Sequence, residues 1–311
     1  MIDMISLKNK IYISRLINEC RFKFISDEKF ALKKFKKRKG YKLDLKNPQT
    51  FTEKLQFLKL YYRNPLMSIC ADKYYAREYV KLCGYESILK EIYGVYNDVD
   101  EIDLALLPKD FFIHWNHMSG GNYIIRNGKI EKNIIELLAE YKKINWYHQG
   151  REWQYNYIRP KLLCEELLEN SDKSPLCDYK FYCFNGEVKY YMVSLGEYEH
   201  KHINHKFDVN GNSIDYLFKE NSSVEAEKIS IPNNINKMIN IAKKLSAPFP
   251  HVRVDLYNID GRIVFGEMTF FSDSGFVNIY SEDMDKKIGS WIDIPRYKAD
   301  LIKLEDQECI K

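Results

Sequence analysis

The chain has 311 residues, of which 45% are hydrophobic and 14% aromatic; this composition excludes a disordered protein and suits a large core divided into about two lobes. No apolar run approaches the roughly 20 residues of a membrane span, and the first residues lack the apolar core of a signal peptide, so we expect a cytoplasmic protein. The seven cysteines form no CxxC pair, which favours reduced thiols over a disulfide framework.

Positive charge is concentrated at the start of the chain. Residues 1–50 contain 14 Lys and Arg against 5 Asp and Glu, an excess of +9, so the net charge of +4 leaves −5 for the remainder. Residues 22–41 mix aromatic side chains with KKFKKRK and predict a basic amphipathic helix that ends near Gly40. Such a helix binds an anionic membrane surface or a polyanionic glycan, or it is a solvated helix whose aromatic side chains dock on the protein. The acidic remainder argues against nucleic acid as a partner.

Helices and short strands alternate in the first half. The segment TFTE at residues 50–53 contains a helix start signal. Residues 71–84 predict a further helix with a glycine stop, and residues 92–96 and 111–115 predict strands.

A glycine pair follows the second of these strands. At Ser119, Gly120 and Gly121, backbone N–H groups can approach an anion such as a phosphate closely. The alternative is a plain hairpin turn between FFIHW and YIIRN.

The second half begins with a helix predicted at residues 134–146 and a strand-like segment at residues 161–170. A hairpin that turns at Asn185-Gly186 is predicted for residues 178–196. No internal repeat is evident.

A second hairpin, residues 251–271, carries the chemistry. Both halves are rich in β-formers, and Asp260-Gly261 lies between them. Side chains alternate along a strand, so Arg253 and Asp255 share one face of the first strand, as do Glu267 and Thr269 of the second.

All four polar side chains point the same way if the connecting loop has an odd number of residues, whereas a two-residue turn would separate them. Two carboxylates on one face favour a cation between them, and oxygen ligands suit Mg²⁺. An arginine beside them could neutralise a transferring phosphoryl group. The alternative is an ordinary half-buried hairpin with surface charges.

Several segments, in order, resemble the TupA-like group of the ATP-grasp superfamily. They are NPQTFTEKLQFLKLY, ICADKYYAREYV, FFIHWNHMSGGN, GREWQYNYIRP, CEELLEN, DYKFYCFNGE, FPHVRVDLYNIDGRIVFGEMTF and SGF, which together span about residues 47–291. The resemblance implies an α+β ATP-grasp fold in which two lobes clasp MgATP. It also implies an ATP-dependent carboxylate–amine ligase that acts through an acyl phosphate, with a uronic acid of a surface polysaccharide and an amino acid or amine as expected substrates.

The resemblance implies roles residue by residue. Asp255 and Glu267 match the magnesium ligands, and Thr269 stands at a third ligand position. Arg253 and Lys180 match basic residues near the transferring phosphate and in the cleft.

Other positions match the nucleotide contacts. Lys73, His114 and the loop Ser119 to Gly121 correspond to the phosphate-binding positions. Glu165 and Glu166 correspond to the hinge that receives adenine, and Glu169 to a ribose contact. Arg151, Trp153 and Arg159 belong to a block particular to the group and are expected to meet the acceptor.

Three departures from the family pattern affect these expectations. His114 replaces a phosphate-binding lysine, which predicts nucleotide affinity that rises as the pH falls from about 8 to 6. Met118 replaces a glycine, which predicts a displaced loop. The segment FFSDSGF replaces a sequence close to FTPGSGF, which predicts a less constrained loop after Glu267.

A zinc site is an alternative use of the histidines. His114 with His117, or His200, His202 and His205, could supply imidazole ligands, but suitably spaced cysteines or acids are missing from the sequence.

We therefore expect a basic helical segment at residues 1–70, a lobe with the glycine loop at residues 71–165, and a lobe with the magnesium hairpin at residues 166–311. Two other functions stay open: a glycan kinase or transferase, and a catalytically degenerate clamp that binds glycan. Whichever function applies, the basic N-terminus could hold the protein at the inner face of a membrane, in association with membrane-bound polysaccharide assembly.

Overall fold

The computed structural model describes residues 4–195, 203–218 and 231–295. Its helices, in chain order, are α1 (Met4–Phe24), α2 (Asp27–Lys39), α3 (Phe51–Tyr61), α4 (Leu66–Ala71), α5 (Ala76–Leu82), α6 (Lys132–Lys142), α7 (Tyr147–Gly150), α8 (Ile235–Ser246) and α9 (Glu282–Gly289). No helix in these ranges is long and apolar enough to cross a membrane.

The strands form two separate antiparallel sheets. They are β1 (Ile92–Tyr96), β2 (Phe111–Trp115), β3 (Tyr123–Ile125), β4 (Leu162–Glu165), β5 (Cys177–Phe184), β6 (Glu187–Leu195), β7 (Ile203–Asp208), β8 (His251–Ile259) and β9 (Arg262–Thr269). The smaller sheet has the order β1-β4-β2-β3 and the larger one β7-β6-β5-β8-β9. Helices and antiparallel sheets together confirm the predicted α+β fold.

Each sheet has its own apolar core. In the smaller sheet, the core around Trp115 and Leu162 is covered by α6, which contributes Leu138. The core of the larger sheet is covered by α8 and by the region of α3 to α5. Residue 165, where the sequence predicts a lobe boundary, is the last residue of β4, and the connection to the larger sheet follows it; the lobe boundary stays a prediction.

Local signals set several element ends. Thr50 and Glu53 form the capping box expected at the start of α3. Gly40 ends α2 at a φ of 84°, as predicted, but this helix begins at Asp27 rather than near Phe22 because Ser26 caps it. Residues 22–24 belong to α1 instead.

The hairpin predicted at Asn185-Gly186 joins β5 to β6, as expected. Two other predictions were too long. Apart from Ala71, which ends α4, only Ala76–Leu82 of the predicted helix at residues 71–84 is α-helical, and only Leu162–Glu165 of the segment at residues 161–170 is a strand.

Candidate active site

A cleft between the two sheets brings together side chains from distant parts of the sequence. The smaller sheet contributes His114 and Glu165, and the larger sheet contributes Lys180, Asp255 and Glu267. The remaining lining residues are Lys73, Arg77, Lys90, Phe112, Ser119, Gly120, Asn122, Asp178, Tyr257, Phe265 and Gly266. Eight predicted site residues therefore face one cleft: Lys73, His114, Ser119, Gly120, Glu165, Lys180, Asp255 and Glu267.

A β-bulge in the hairpin of β8 and β9 determines which face the polar side chains share. The turn at Asp260-Gly261 has two residues, both with positive φ, which would place the carboxylates on opposite faces. A β-bulge corrects this, because the register shifts between Asp255 and Leu256 and Gly266 becomes the extra residue. The expectation that a two-residue turn separates the polar side chains is therefore wrong. Asp255 pairs directly with Glu267 across the strands.

Arg253 holds the two carboxylates on that face. Its Nε and Nη2 donate to the Asp255 oxygens at 2.7 and 2.6 Å, and Nη2 also donates to Glu267 Oε1 at 3.2 Å. The same Nη2 lies 3.2 Å from Thr269 Oγ1, which in turn donates to Glu267 at 3.1 Å. The predicted catalytic arginine and the three predicted metal ligands thus form one hydrogen-bonded cluster.

The two carboxylates differ in their electrostatic surroundings. Burial raises the pKa of Asp255, and Arg253 and Lys180 offset this only partly. For Glu267, burial acts in the same direction, but Lys73 and Arg253 outweigh it and lower the pKa to about 2. Asp255 side-chain exposure is 3% and that of Glu267 is 34%. Glu267 is therefore the carboxylate that stays ionised most readily.

Lys73 connects the glycine loop to this cluster. Its Nζ donates to the Met118 carbonyl at 2.6 Å and lies 3.4 Å from Glu267 Oε2. Asn116 fixes the backbone of Lys73 by accepting its N–H at 3.3 Å, and Asp72 accepts a hydrogen bond from the Asn116 amide at 2.8 Å. The ADK segment is thereby held against the loop that follows β2.

Lys180 approaches the cluster from the neighbouring strand. It pairs with Asp255 in the β5–β8 ladder, and its Nζ lies 3.7 Å from Asp255 Oδ2. A closer ion pair joins Lys180 to Asp178, two residues away on the same face. Sequence reasoning missed Asp178 because, in the DYKF motif, it weighed only the lysine.

The glycine loop is ordered despite the methionine. The Met118 side chain is 3% exposed and packs in the core of the smaller sheet, away from the cleft lining. Ser119 and Gly120 face the cleft, whereas Gly121 approaches the ring of Tyr141 so closely that a Cβ would lie 2.9 Å from it. Met118 therefore does not enter the cleft, and Gly121 serves packing against α6, while the loop displacement expected from Met118 stays a prediction.

His114 has a buried carboxylate partner. Its Nε2 lies 3.0 Å from Glu165 Oε2, and its Nδ1 lies 3.2 Å from the Trp115 carbonyl. Burial lowers the pKa of His114, and the opposing effect of Glu165 does not reverse this. Protonation of His114 is therefore shifted to lower pH than the ordinary value of about 6.5. This direction opposes the pH dependence of nucleotide affinity expected from the sequence, which stays a prediction.

Lys90 supplies a cation beside His114. Its Nζ lies 2.5 Å from Glu165 Oε2 and 5.7 Å from the centroid of the Phe112 ring. Burial alone would raise the pKa of Glu165, but Lys90 and His114 outweigh it and hold that pKa well below its usual range. No sequence signal marks Lys90, since it precedes β1 outside any motif, and only the fold places it on this wall of the cleft.

The loop after β9 is tightly held, contrary to expectation. Asp273 and Ser274 both have positive φ. Lys59 Nζ donates to the Ser274 carbonyl at 2.7 Å, and Ser274 Oγ donates to Glu152 at 2.9 Å. Ser272 of this loop lies 3.4 Å from Arg253 Nη1. The buried residues Lys59 and Glu152 therefore position the loop that contacts Arg253, the predicted catalytic arginine.

Glu166 and Glu169 do not line the cleft. Arg262 of β9 forms a two-pronged ion pair with Glu166, at 2.5 and 2.8 Å. Glu169 pairs with Arg126 at 2.5 Å on the surface. Glu166 thus links the segment after β4 to the larger sheet, and its predicted adenine contact through the backbone stays a prediction, as does the ribose contact of Glu169.

The three residues expected at the acceptor also lie outside this cleft. The Arg151 guanidinium donates to Asp27 at 2.8 Å and is stacked between Phe22 and Phe30, with its central carbon 4.7 and 4.9 Å from the ring centroids. Its side chain is 1% exposed, so it anchors the N-terminal helices instead of meeting an acceptor.

Trp153 and Arg159 are likewise not among the residues that line the cleft. Trp153 is 3% exposed and belongs to the large core. Arg159 is exposed, and its carbonyl accepts a hydrogen bond from Asn116. Arg151 and Trp153 therefore support the structure around the site, and the acceptor contact of Arg159 stays a prediction.

The histidines within the described residues contact protein groups, as His117 and His205 illustrate. His117 Nε2 lies 3.1 Å from the Ile144 carbonyl, and burial lowers its pKa to about 4. His205 pairs with Asp215 at 2.8 Å, while His200 and His202 lie outside the described residues. Within the described part of the chain, no group of three or more His, Cys, Asp and Glu is placed to hold a metal ion.

The carboxylate pair nevertheless suits Mg²⁺. This ion is commonly held by one or two carboxylates, with phosphate oxygens and water completing its coordination. Asp255 and Glu267 lie within hydrogen-bond distance of one arginine nitrogen, so both can reach a common ion. The donor set therefore fits a magnesium nucleotide and does not resemble a closed, all-protein metal site.

Residues 53–293 match the family model described as TupA-like ATPgrasp. The match covers most of the 311 residues, which places the chain in the ATP-grasp class. Within that class, the chain belongs to the TupA-like ATP-grasp family.

Solved structures of ligases are similar at low identity. The D-alanine–D-alanine ligase from Bacillus anthracis is 15% identical with a TM-score of 0.38, over 68% of this chain and 59% of that one. The corresponding values are 12%, 0.44, 80% and 68% for D-alanine–D-alanine ligase from Helicobacter pylori, and 9%, 0.40, 81% and 55% for L-amino acid ligase from Bacillus licheniformis. The chain thus spans about six-tenths of the length of the first of these ligases. No curated protein matches it.

Proposed function

We propose that the protein is an ATP-dependent carboxylate–amine ligase that joins an amine or amino acid to a uronic acid of a surface polysaccharide. One observation carries the proposal: Asp255 and Glu267 lie side by side in a cleft where Lys73, Lys180 and Arg253 surround them. Family membership and the resemblance described above support the substrate classes.

The first step is phosphoryl transfer. A carboxylate oxygen of the acceptor attacks the terminal phosphorus of ATP, the bond to the bridging oxygen breaks, and ADP leaves with that electron pair. Mg²⁺, held by Asp255 and Glu267, would neutralise charge on the phosphates. Arg253 and Lys73 are placed to meet the transferring group, because both already contact Glu267.

The second step forms the amide. The amine nitrogen attacks the carbonyl carbon of the acyl phosphate, inorganic phosphate leaves with the electrons of the C–O bond, and the nitrogen loses a proton. Cations that meet the phosphoryl group in the first step also stabilise phosphate as it departs. Arg253 is held for both steps by Asp255 and by the loop residue Ser272.

Hydroxylamine trapping tests the proposal directly. With ATP, Mg²⁺ and a panel of uronic acids, the wild-type protein should release ADP and form a hydroxamate, because hydroxylamine captures an acyl phosphate. The matched control is Asp255→Asn, which should form neither product.

The two other functions give different outcomes. ADP release with a stable phosphorylated glycan and no hydroxamate would identify a kinase. Nucleotide or glycan binding without any turnover would identify a degenerate clamp. Either result contradicts the ligase proposal.

A further inference from the structure

Helix α1 has an apolar face on each side. The inward face packs on α6 and α7, where Phe22 stacks on His148 with 4.2 Å between the ring centroids and Asn18 donates to Gln149 at 2.6 Å. Lys8 adds an ion pair to Glu136 at 3.1 Å. These contacts fix the orientation of α1 on the protein. They therefore also determine which of its side chains are exposed.

The outward face of α1 is also apolar. Five of the fifteen large apolar side chains that the described part of the chain exposes lie on this one helix: Tyr12, Ile13, Leu16, Ile17 and Phe24. Phe24 is 82% exposed. Ile13, Ile17 and Phe24, together with Leu16 and the exposed Cys20, recur at the three- and four-residue spacing that places side chains along one side of a helix. We call these five residues, Ile13, Leu16, Ile17, Cys20 and Phe24, the outward stripe.

Cations border the outward stripe on both sides. At about 100° per residue, Lys10 and Arg21 fall on one flank and Lys23 on the other, and all three are exposed. Among the described side chains of α1, Glu19 is the sole acid; it falls toward the inward side and pairs with Arg15 at 3.3 Å. The outward face thus combines apolar side chains with positive charge alone.

The next helix adds to this charge. Helix α2 exposes five cations: Lys29, Lys33, Lys36, Lys37 and Arg38. Its apolar residues Ala31 and Phe35 are buried against the body of the protein. The basic helix α2 therefore exposes positive charge, and the exposed apolar stripe lies on α1.

We propose that the outward stripe of α1 docks in the plane of an anionic lipid bilayer. The outward stripe runs from Ile13 to Phe24, which is 12 residues or about 18 Å of helix, and with the flanking lysines and arginine it has the form of helices that lie in the headgroup region of membranes. The charge selects a bilayer with anionic headgroups over a neutral one, and an uncovered apolar stripe of this length marks an interaction surface.

Vesicle sedimentation tests the proposal. The full chain should bind vesicles of phosphatidylcholine mixed with phosphatidylglycerol, bind phosphatidylcholine alone at least about tenfold more weakly, and be released by added NaCl because salt screens the headgroups. The double variant Ile17→Ser with Phe24→Ser should lose at least about tenfold of the binding to mixed vesicles. Its thermal unfolding should match wild type, because both side chains are exposed.

A matched control is Leu82→Ser on α5, which removes a side chain that is 87% exposed elsewhere on the surface. This variant should bind vesicles like wild type. The proposal is overturned if wild type ignores mixed vesicles, if it binds neutral vesicles equally well, or if the double variant and the control behave alike. Self-association that the double variant abolishes, without vesicle binding, would instead assign the stripe to contact between copies of the chain.

Discussion

Replacing Lys90 by methionine tests whether Lys90 supplies the positive charge that a lysine at position 114 would otherwise supply to the cleft. Lys90 Nζ lies 2.5 Å from the buried carboxylate of Glu165, which His114 also contacts at 3.0 Å. If Lys90 supplies the cation that His114 lacks, its removal costs a charge-assisted hydrogen bond to the nucleotide, worth about 1.5 to 3 kcal/mol. ATP affinity should then fall by about 10- to 150-fold.

The affinity of the same variant should depend on pH more strongly than that of wild type. Lys90 lowers the pKa of His114, whereas Glu165 raises it, so deleting the lysine moves that pKa upward. Protonation of His114 then restores a cation in the cleft as the pH falls. We expect the affinity of Lys90→Met to recover partly from pH 8 to 6, and to change more over this range than wild-type affinity, because burial and Lys90 together lower the pKa of His114 in the wild type.

Calorimetric titration with ATP and Mg²⁺ at several pH values measures both effects. Lys90→Arg, which keeps the charge, should retain most of the affinity. Lys81→Met is the surface control, since Lys81 pairs with Glu78 on α5 and does not line the cleft. Affinity of folded Lys90→Met within twofold of wild type at every pH would refute the reasoning.

Three further predictions concern the carboxylate cluster. Asp255→Asn and Glu267→Gln should each lower Mg²⁺-dependent ADP release by at least about a hundredfold in a coupled assay while circular dichroism stays unchanged; wild-type rates would contradict the assignment. Because the pKa of Asp255 is raised and a metal ligand must be ionised, Mg²⁺-dependent nucleotide binding should weaken on acidification before the pH reaches the ~3.9 of an ordinary aspartate, and calorimetry that shows no loss above that pH would exclude this. Gly266→Ala places a Cβ 3.0 Å from the Asp255 carbonyl oxygen, so kcat should fall by about ten- to a hundredfold. The control variant Gly261→Asn has open space around the new side chain and should stay active. Equal rates for the two variants would show that the bulge tolerates a side chain.

Much of the fold follows from local signals that act over a few residues. The capping box at Thr50, the glycine that ends α2, and the Asn185-Gly186 turn each specify backbone geometry at their own positions, and each was predicted. Element lengths were less predictable, because the residues of ADK and EELLEN that lack regular structure are fixed by contacts to distant segments, such as Asn116 to Lys73 and Arg262 to Glu166.

The site was predictable where one motif carries both position and chemistry. Strand alternation brought Asp255 and Glu267 into the same prediction, but the route to a common face depends on a bulge at Gly266, which neither the turn nor the alternation reveals. For Arg151, the chemistry was read from the residue type but the location was not. Its residue type suits a carboxylate ligand, yet the tertiary structure commits it to Asp27 and two aromatic rings. A residue's chemistry sets what it can bind, and only the fold sets what it meets.

The histidine at position 114 and the lysine at position 90 are explained better together than apart. A lysine at 114 would place a second ammonium group against Glu165, which already pairs with Lys90, and two like charges on one buried carboxylate repel each other. With histidine there, four cations, Lys73, Arg77, Lys90 and Lys180, balance four lining carboxylates, Glu165, Asp178, Asp255 and Glu267. The departure from the family motif is therefore compatible with a working nucleotide cleft in which the cation has changed its position in the sequence. It follows that His114→Lys should restore the ATP affinity that Lys90→Met loses; if the combined variant binds no better than Lys90→Met alone, the two positions do not exchange the same role.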